Sequence, residues 1–180
     1  MQFLKKKNRL YLAYYDLGGT PDMMGDRYHT ALLLAPKNPD PKLKQSWIFD
    51  VKSTMTLEGP EWELRCAETR NRNFQLAALV LLGRIPEEVG GRAIEGMLRG
   101  VPVPAMDENP EWMCQHWVWK AIQRLAGEKL IEKLPSTPEA LWRLGRTFAE
   151  DSGTPDLKKA VPTCDMNGRS INSEVAPLES

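Results

Sequence analysis

Apolar residues cluster in short runs over the first half of the chain and fall into steps of three and four over the second. The run Leu10–Asp16 (LYLAYYD) is rich in aromatic and aliphatic residues and ends in the turn cluster LGGTPD, which predicts a strand and a turn. Tyr28–Pro36 (YHTALLLAP), closed by KNPDPK, and Ser46–Ser53 (SWIFDVKS) read as further strands. Glu61–Glu68 (EWELRCAE) alternates bulky and charged residues, the period-two pattern of a half-exposed strand. Phe74–Ile85 (FQLAALVLLGRI) is continuous in apolar character. Its alanines and leucines also suit a helix, but the run matches a buried strand. Consecutive strands joined by turns predict an antiparallel sheet.

The second half changes period. IPEEVGGRAIEGMLRG places Pro86 at an expected helix start with acidic residues behind it, while Gly90 and Gly91 weaken the pattern. VPVPAMDENP is a loop, because its prolines cannot continue a helix. Glu111 to about Ile131 reads as helical. STPEALWRLGRTFAED carries a start signal: Ser136 or Thr137 as cap, Pro138 in the first turn and Glu139 behind it. From DSGTPD onward Pro, Gly, Ser and charges alternate without an apolar period. The organisation expected is a single α+β domain over residues 1–152, about five antiparallel strands packed against C-terminal helices, with 153–180 as a loosely ordered tail adding little to the core.

At 180 residues one domain is expected. Lysine plus arginine equals aspartate plus glutamate at 24 each, so no net charge draws the chain to nucleic acid or acidic lipid. The basic start KKKNR has no long apolar run behind it, and no run is long enough for a membrane span. The reading is of a cytoplasmic protein with no membrane span and no nucleic-acid partner. Cys66, Cys114 and Cys164 are an odd, widely spaced set, not a disulfide framework.

One stretch concentrates the scarce chemistry. EWMCQHWVWKAIQRL holds one of the three cysteines and one of the two histidines. Positions 114, 117, 118, 121, 122 and 125 (Cys, Trp, Val, Ala, Ile, Leu) share one helix face, opposite Gln115, Lys120, Gln123 and Arg124. Cys114 therefore heads the buried stripe. His116 lies about 200° round the helix from it, so the two diverge and make a poor zinc half-site. Metal pairs on a helix favour a spacing of three or four, and no CxxC pair is present. No metal and no cofactor is expected.

A cysteine aimed at the sheet must find its partner there. The other histidine is His29, in YHTALLLAP, and Asp50 lies in the following strand amid bulky apolar residues. Cysteine, histidine and an orienting acid are the parts of an activated thiol: imidazolium stabilises the thiolate, and the carboxylate holds the ring. A helix start adds its unpaired amides. Asn109 as cap and Pro110 as first residue would set Cys114 beyond the first turn.

A histidine in an early strand, an apolar strand after it and a later helix carrying Met113-Cys114-Gln115-His116-Trp117 resemble the circularly permuted papain-like cysteine enzymes. Among these are the PPPDE peptidases, the lecithin:retinol acyltransferase-like proteins and the NlpC-type peptidases, in several of which Asn-Cys-x-His-Phe opens the cysteine helix. YHTALLL resembles their strand motif. The resemblance spans roughly residues 10–130 and implies a permuted papain-like fold, with Cys114 as nucleophile, His29 as base and a third polar group. Asp50 is the candidate for that third group. Two departures stand out: Met113 replaces the usual Asn, and Asp50 rests on strand order alone. The chain also resembles an uncharacterised fungal protein family, which implies nothing about substrate.

Two functional classes follow. One is a thiol-dependent hydrolase or acyltransferase that acts on an amide or ester of a small molecule or peptide through a Cys114 thioester, with an amide of the Cys114–Gln115 region at the oxyanion. The other is a non-catalytic binding module that keeps the fold, in which Cys114 is a small hydrophobe and His29 a core hydrogen-bonding group. In that second class Asp50 merely binds Lys52 or a turn amide. Most tryptophans read as packing, Cys66 as structural and Cys164 as incidental. TRNRN (Thr69–Asn73) reads as a solvated turn or a contact for a substrate carboxylate.

Overall fold

The computed structural model describes residues 7–18, 27–105, 108 and 111–179. Most of the LGGTPD turn, and Asn109 and Pro110, lie outside them. Five long strands come first: β1 (Lys7–Asp16), β2 (Tyr28–Ala35), β3 (Ser46–Thr56), β4 (Gly59–Thr69) and β5 (Leu76–Pro86). Helices α1 (Gly91–Leu98), α2 (Cys114–Gly127) and α3 (Pro138–Ser152) follow, then the two-residue strands β6 (Thr163–Cys164) and β7 (Ser170–Ile171). The sheet runs β4-β3-β2-β1-β5-β6-β7 and is antiparallel throughout except between β5 and β6. The protein is thus α+β, with Phe74–Ile85 mainly a strand, as its apolar run predicts.

The alternation of side chains along the strands builds two cores. Leu10, Leu12, Tyr14, Leu32, Phe49 and Val51 face the helices and pack with Trp117, Val118, Ile122 and Leu125. Tyr11, Ala13, Tyr15, Leu33, Ile48 and Leu79 face the other way. Val161 and Val175 cover that second face, and both are fully buried. The expectation of a loose tail is therefore corrected. The C-terminal segment lacks a period because it buries isolated residues against a ready-made sheet, and β6 adds to the edge of β5. Arg72 secures it: the buried guanidinium donates to the main-chain carbonyls of Asp156, Lys159 and Ala176. Arg9 binds Glu174 at 2.5 Å.

Helix α1 also departs from expectation. Pro86 ends β5 and is no helix start. The helix begins at Gly91, where a β-carbon would overlap the Trp47 ring, so close packing and not propensity sets the boundary. Gly145 plays the same part in α3, where Tyr14 lies against its backbone and donates to the Trp142 carbonyl at 2.5 Å. The start of α3 is as predicted: the Thr137 hydroxyl accepts from the Ala140 amide, and Pro138 opens the first turn.

Candidate functional site

The site lies where β2 and β3 part. Their ladder pairing covers Leu32–Leu34 against Trp47–Phe49 alone, whereas β3 and β4 stay paired from Ser46 to Thr56. A cleft of about 520 Å³ opens at the divergence. Ile48 and Val51 belong to opposite faces of the sheet, yet both line it. The cleft therefore opens through the gap between the two strands. Helix α2, which packs on β2 and β3, brings its first turn to this gap.

The helix begins later than its sequence predicts. Its first residue is Cys114, with Met113 in extended conformation as the cap. Glu111–Met113 lie outside the helix. Cys114 is thus in the first turn, not beyond it, next to amide groups that have no intrahelical acceptor. The stripe behind it, Trp117, Val118, Ala121, Ile122 and Leu125, is buried as predicted, while Cys114 itself is half-buried and lines the cleft. His116 turns elsewhere. Its Nδ1 accepts the Met113 amide at 2.8 Å, and its ring lies edge-on to Trp119 and tilted against Trp112. That bond closes the helix start and explains why a histidine stands two residues after the cysteine without sharing its chemistry.

His29 and Asp50 come together as strand order suggests. His29 stands opposite Tyr15 in the β1–β2 ladder, and its Nε2 lies 2.6 Å from Asp50 Oδ2. Asp50 is fully buried, so it requires strong partners. It has two: the histidine, and Arg65, which donates from Nε at 2.8 Å and from Nη2 at 2.5 Å. Burial opposes ionisation of Asp50, but hydrogen bonds from His29 and Arg65, with their charge, hold the carboxyl below its usual range. Burial likewise pushes the His29 ring down. Hydrogen bonds with Asp50 and with Cys114, and the charge of both, outweigh it and raise the ring to about 9. Nε2 is committed to Asp50.

Arg65 is the member of this group that sequence reasoning missed. The signal was present. The β3–β4 hairpin turns tightly at Leu57 and Glu58, with Thr56 opposite Gly59, and counting back along that register sets Asp50 opposite Arg65. Among the described residues neither Lys52 nor a turn amide bonds Asp50.

Gln115 lines the cleft, and its Oε1 lies 3.8 Å from Cys114 Sγ. Trp62 lines it too and meets Trp112 edge-on, so this tryptophan does more than fill the core. From TRNRN, Thr69 and Asn73 reach the cleft, but Arg72 does not, because its guanidinium is spent on the C-terminal segment. The other thiols differ in kind. Burial raises Cys66 to about 11, and Cys164, fully buried in β6, to about 12. Cys164 is thus a core residue of the sheet edge and not a tail residue.

No helix among the described residues is long and apolar enough to cross a membrane. No curated protein and no solved structure matches the chain. A family model does match, over residues 7–150: the chain belongs to a family of unknown function, DUF6914.

Proposed function

We propose that this family member is a thiol-dependent hydrolase or acyltransferase with a permuted papain-like arrangement, in which Cys114 is the nucleophile, His29 the acid–base group and Asp50 the residue that orients His29. The observation that carries this reading is the His29–Asp50 bond of 2.6 Å, formed beside Cys114 in an open cleft at a helix start. A histidine serving only to satisfy the core would not need a buried carboxylate on one nitrogen and a half-buried thiol sharing its cleft. The chain order of histidine strand, acid strand and cysteine helix supports the permuted arrangement.

The chemistry runs in two halves. His29 holds the proton taken from Cys114, and the sulfur attacks the carbonyl carbon of an amide or ester. Charge moves to the carbonyl oxygen, where first-turn amides of the Cys114–Gln115 region stabilise it. Collapse expels the amine or alcohol, which takes the proton from His29, and leaves a Cys114 thioester. Water or a second nucleophile then gives a proton to His29, attacks the thioester and releases the thiol. Asp50 stabilises the ring's positive form throughout, and Arg65 keeps Asp50 ionised and fixed.

Thiol labelling tests this. A cysteine-directed probe at pH 7 is expected to modify Cys114 at least tenfold faster than Cys66 or Cys164, since only the thiolate reacts. His29→Ala slows that labelling while the fold persists. If Cys114 labels no faster than an ordinary buried thiol and His29→Ala changes nothing, the cysteine is packing and the chain is a binding module.

A further inference from the structure

We propose that the cleft takes a substrate bearing a carboxylate close to the scissile carbonyl, and that Lys52, with the outer edge of Arg65, recognises it; this inference rests on the thiol reading above. Apart from Cys114, whose thiolate charge His29 balances by holding its proton, the charged side chains lining the cleft are His29, Lys52 and Arg65, and all are basic. The other polar side chains there, Ser53, Thr69, Asn73, Gln75 and Gln115 besides the tyrosines, are neutral. The one carboxylate at its base, Asp50, is fully buried and already shared between His29 and Arg65. Positive charge thus exceeds negative charge in a partly desolvated space, and a ligand anion relieves the imbalance.

The register puts the two longer basic side chains where one anion can meet both. Asp50 stands opposite Arg65 and Lys52 opposite Glu63, so Lys52 and Arg65 are diagonal neighbours on one face of the hairpin, about 7–8 Å apart. Arg65 spends Nε and Nη2 on Asp50, which leaves Nη1, and its side chain is 32% exposed. Lys52 is exposed and makes no ion pair or hydrogen bond among the described residues, although Glu63 faces it across the ladder. A lysine that ignores an adjacent glutamate and lines a cleft beside a thiol is placed for a ligand anion. Apolar walls from Tyr15, Ile48, Val51 and Trp62 would take the rest of the substrate.

Paired alkylating agents test this without knowledge of the substrate. Iodoacetate and iodoacetamide are nearly equal in size and react alike: sulfur bonds to the methylene carbon, the carbon–iodine bond breaks and iodide leaves. They differ in the carboxylate. The rate of each at Cys114 is measured on the full chain at low ionic strength, where screening is weakest, and the modified peptide is identified by mass. His29 alone favours the anionic reagent, so the informative quantity is how the iodoacetate-to-iodoacetamide ratio responds to Lys52. Lys52→Gln is expected to lower the ratio about threefold, Lys52→Glu about tenfold, and Lys133→Gln, an exposed lysine remote from the cleft, not at all. If Cys114 reacts readily but the ratio stays the same in both Lys52 variants, the anion subsite is wrong and the thiol reading stands. If Cys114 is as unreactive as a buried thiol in the unaltered protein, the thiol reading falls and the subsite with it.

Discussion

Two of the buried charges, Asp50 in β3 and Arg72 in the connection between β4 and β5, have surroundings that differ in a telling way. Arg72 donates from Nη1 and Nη2 to three main-chain carbonyls, all neutral and none able to give or take a proton. Nothing there responds to pH, and the guanidinium simply ties residues 154–179 to the connection between β4 and β5. Asp50 is satisfied by two side chains, one of which, His29, is a titratable ring raised to about 9 that borders an open cleft beside a thiol. Burial of a charge therefore does not by itself mark a functional site. A buried charge whose partner can titrate and reach solvent is the better indicator.

The largest expected effect is structural. Arg72→Met removes three hydrogen bonds from a buried guanidinium to main-chain carbonyls and is expected to cost about 3–5 kcal/mol in denaturant unfolding, from charged hydrogen bonds of about 1.5–3 kcal/mol each that are only partly additive. Removing residues 154–179 should likewise lower Tm, by uncovering the face that Val161 and Val175 bury. An unchanged Tm in both variants would erase the distinction, since the C-terminal segment would then be no part of the fold.

Next comes Asp50→Asn. It keeps the shape but takes the charge from between His29 and Arg65, and about 3 kcal/mol of stability is expected to go with it. Unlike Arg72→Met, it should also slow Cys114 labelling in protein that remains folded, by less than His29→Ala does, because Asp50 acts only through the ring. Equal labelling by Asp50→Asn and the unaltered protein would reduce Asp50 to the same structural role as Arg72.

The subtlest effect is in pH. His29 is raised from 6.5 to about 9 on folding, so the folded state holds its proton more tightly than the unfolded state. The resulting stability is fully present below pH 6.5 and is lost as pH rises through about 9. It amounts to at most about 3 kcal/mol at about 1.4 kcal/mol per pH unit. Asp50 is shifted the other way, so its contribution is present above its ordinary range and lost as pH falls. Comparison of the unaltered protein with His29→Ala should show their stability difference shrinking between pH 6.5 and 9. A difference flat across that range would mean that the imidazole does not share its proton with Asp50 and Cys114. Arg72→Met should show no such dependence.

The five long strands, the cap of α3 and the buried stripe of α2 were all legible in the chain, because each follows from a local rule: alternation for strands, a hydroxyl before proline for the cap, three-and-four spacing for the stripe. The same rules placed Cys114 on the side facing the sheet and removed His116 from its company. With only two histidines, His29 was the one left, and Asp50 stood out as an acid among apolar neighbours. Tertiary contacts decided the rest. The first turn of α2 is set by the His116 ring accepting the Met113 amide, and the start of α1 by the Trp47 ring against Gly91; neither contact has a periodic signal. The C-terminal segment has no amphipathic pattern, because two valines and Arg72's reach for its carbonyls are enough once a sheet face exists to receive it. Whether His29, Asp50 and Cys114 could meet depended on β2 and β3 parting after Leu32 and Phe49. Strand divergence is set by what packs between and beside the strands, and composition along either strand alone does not encode it.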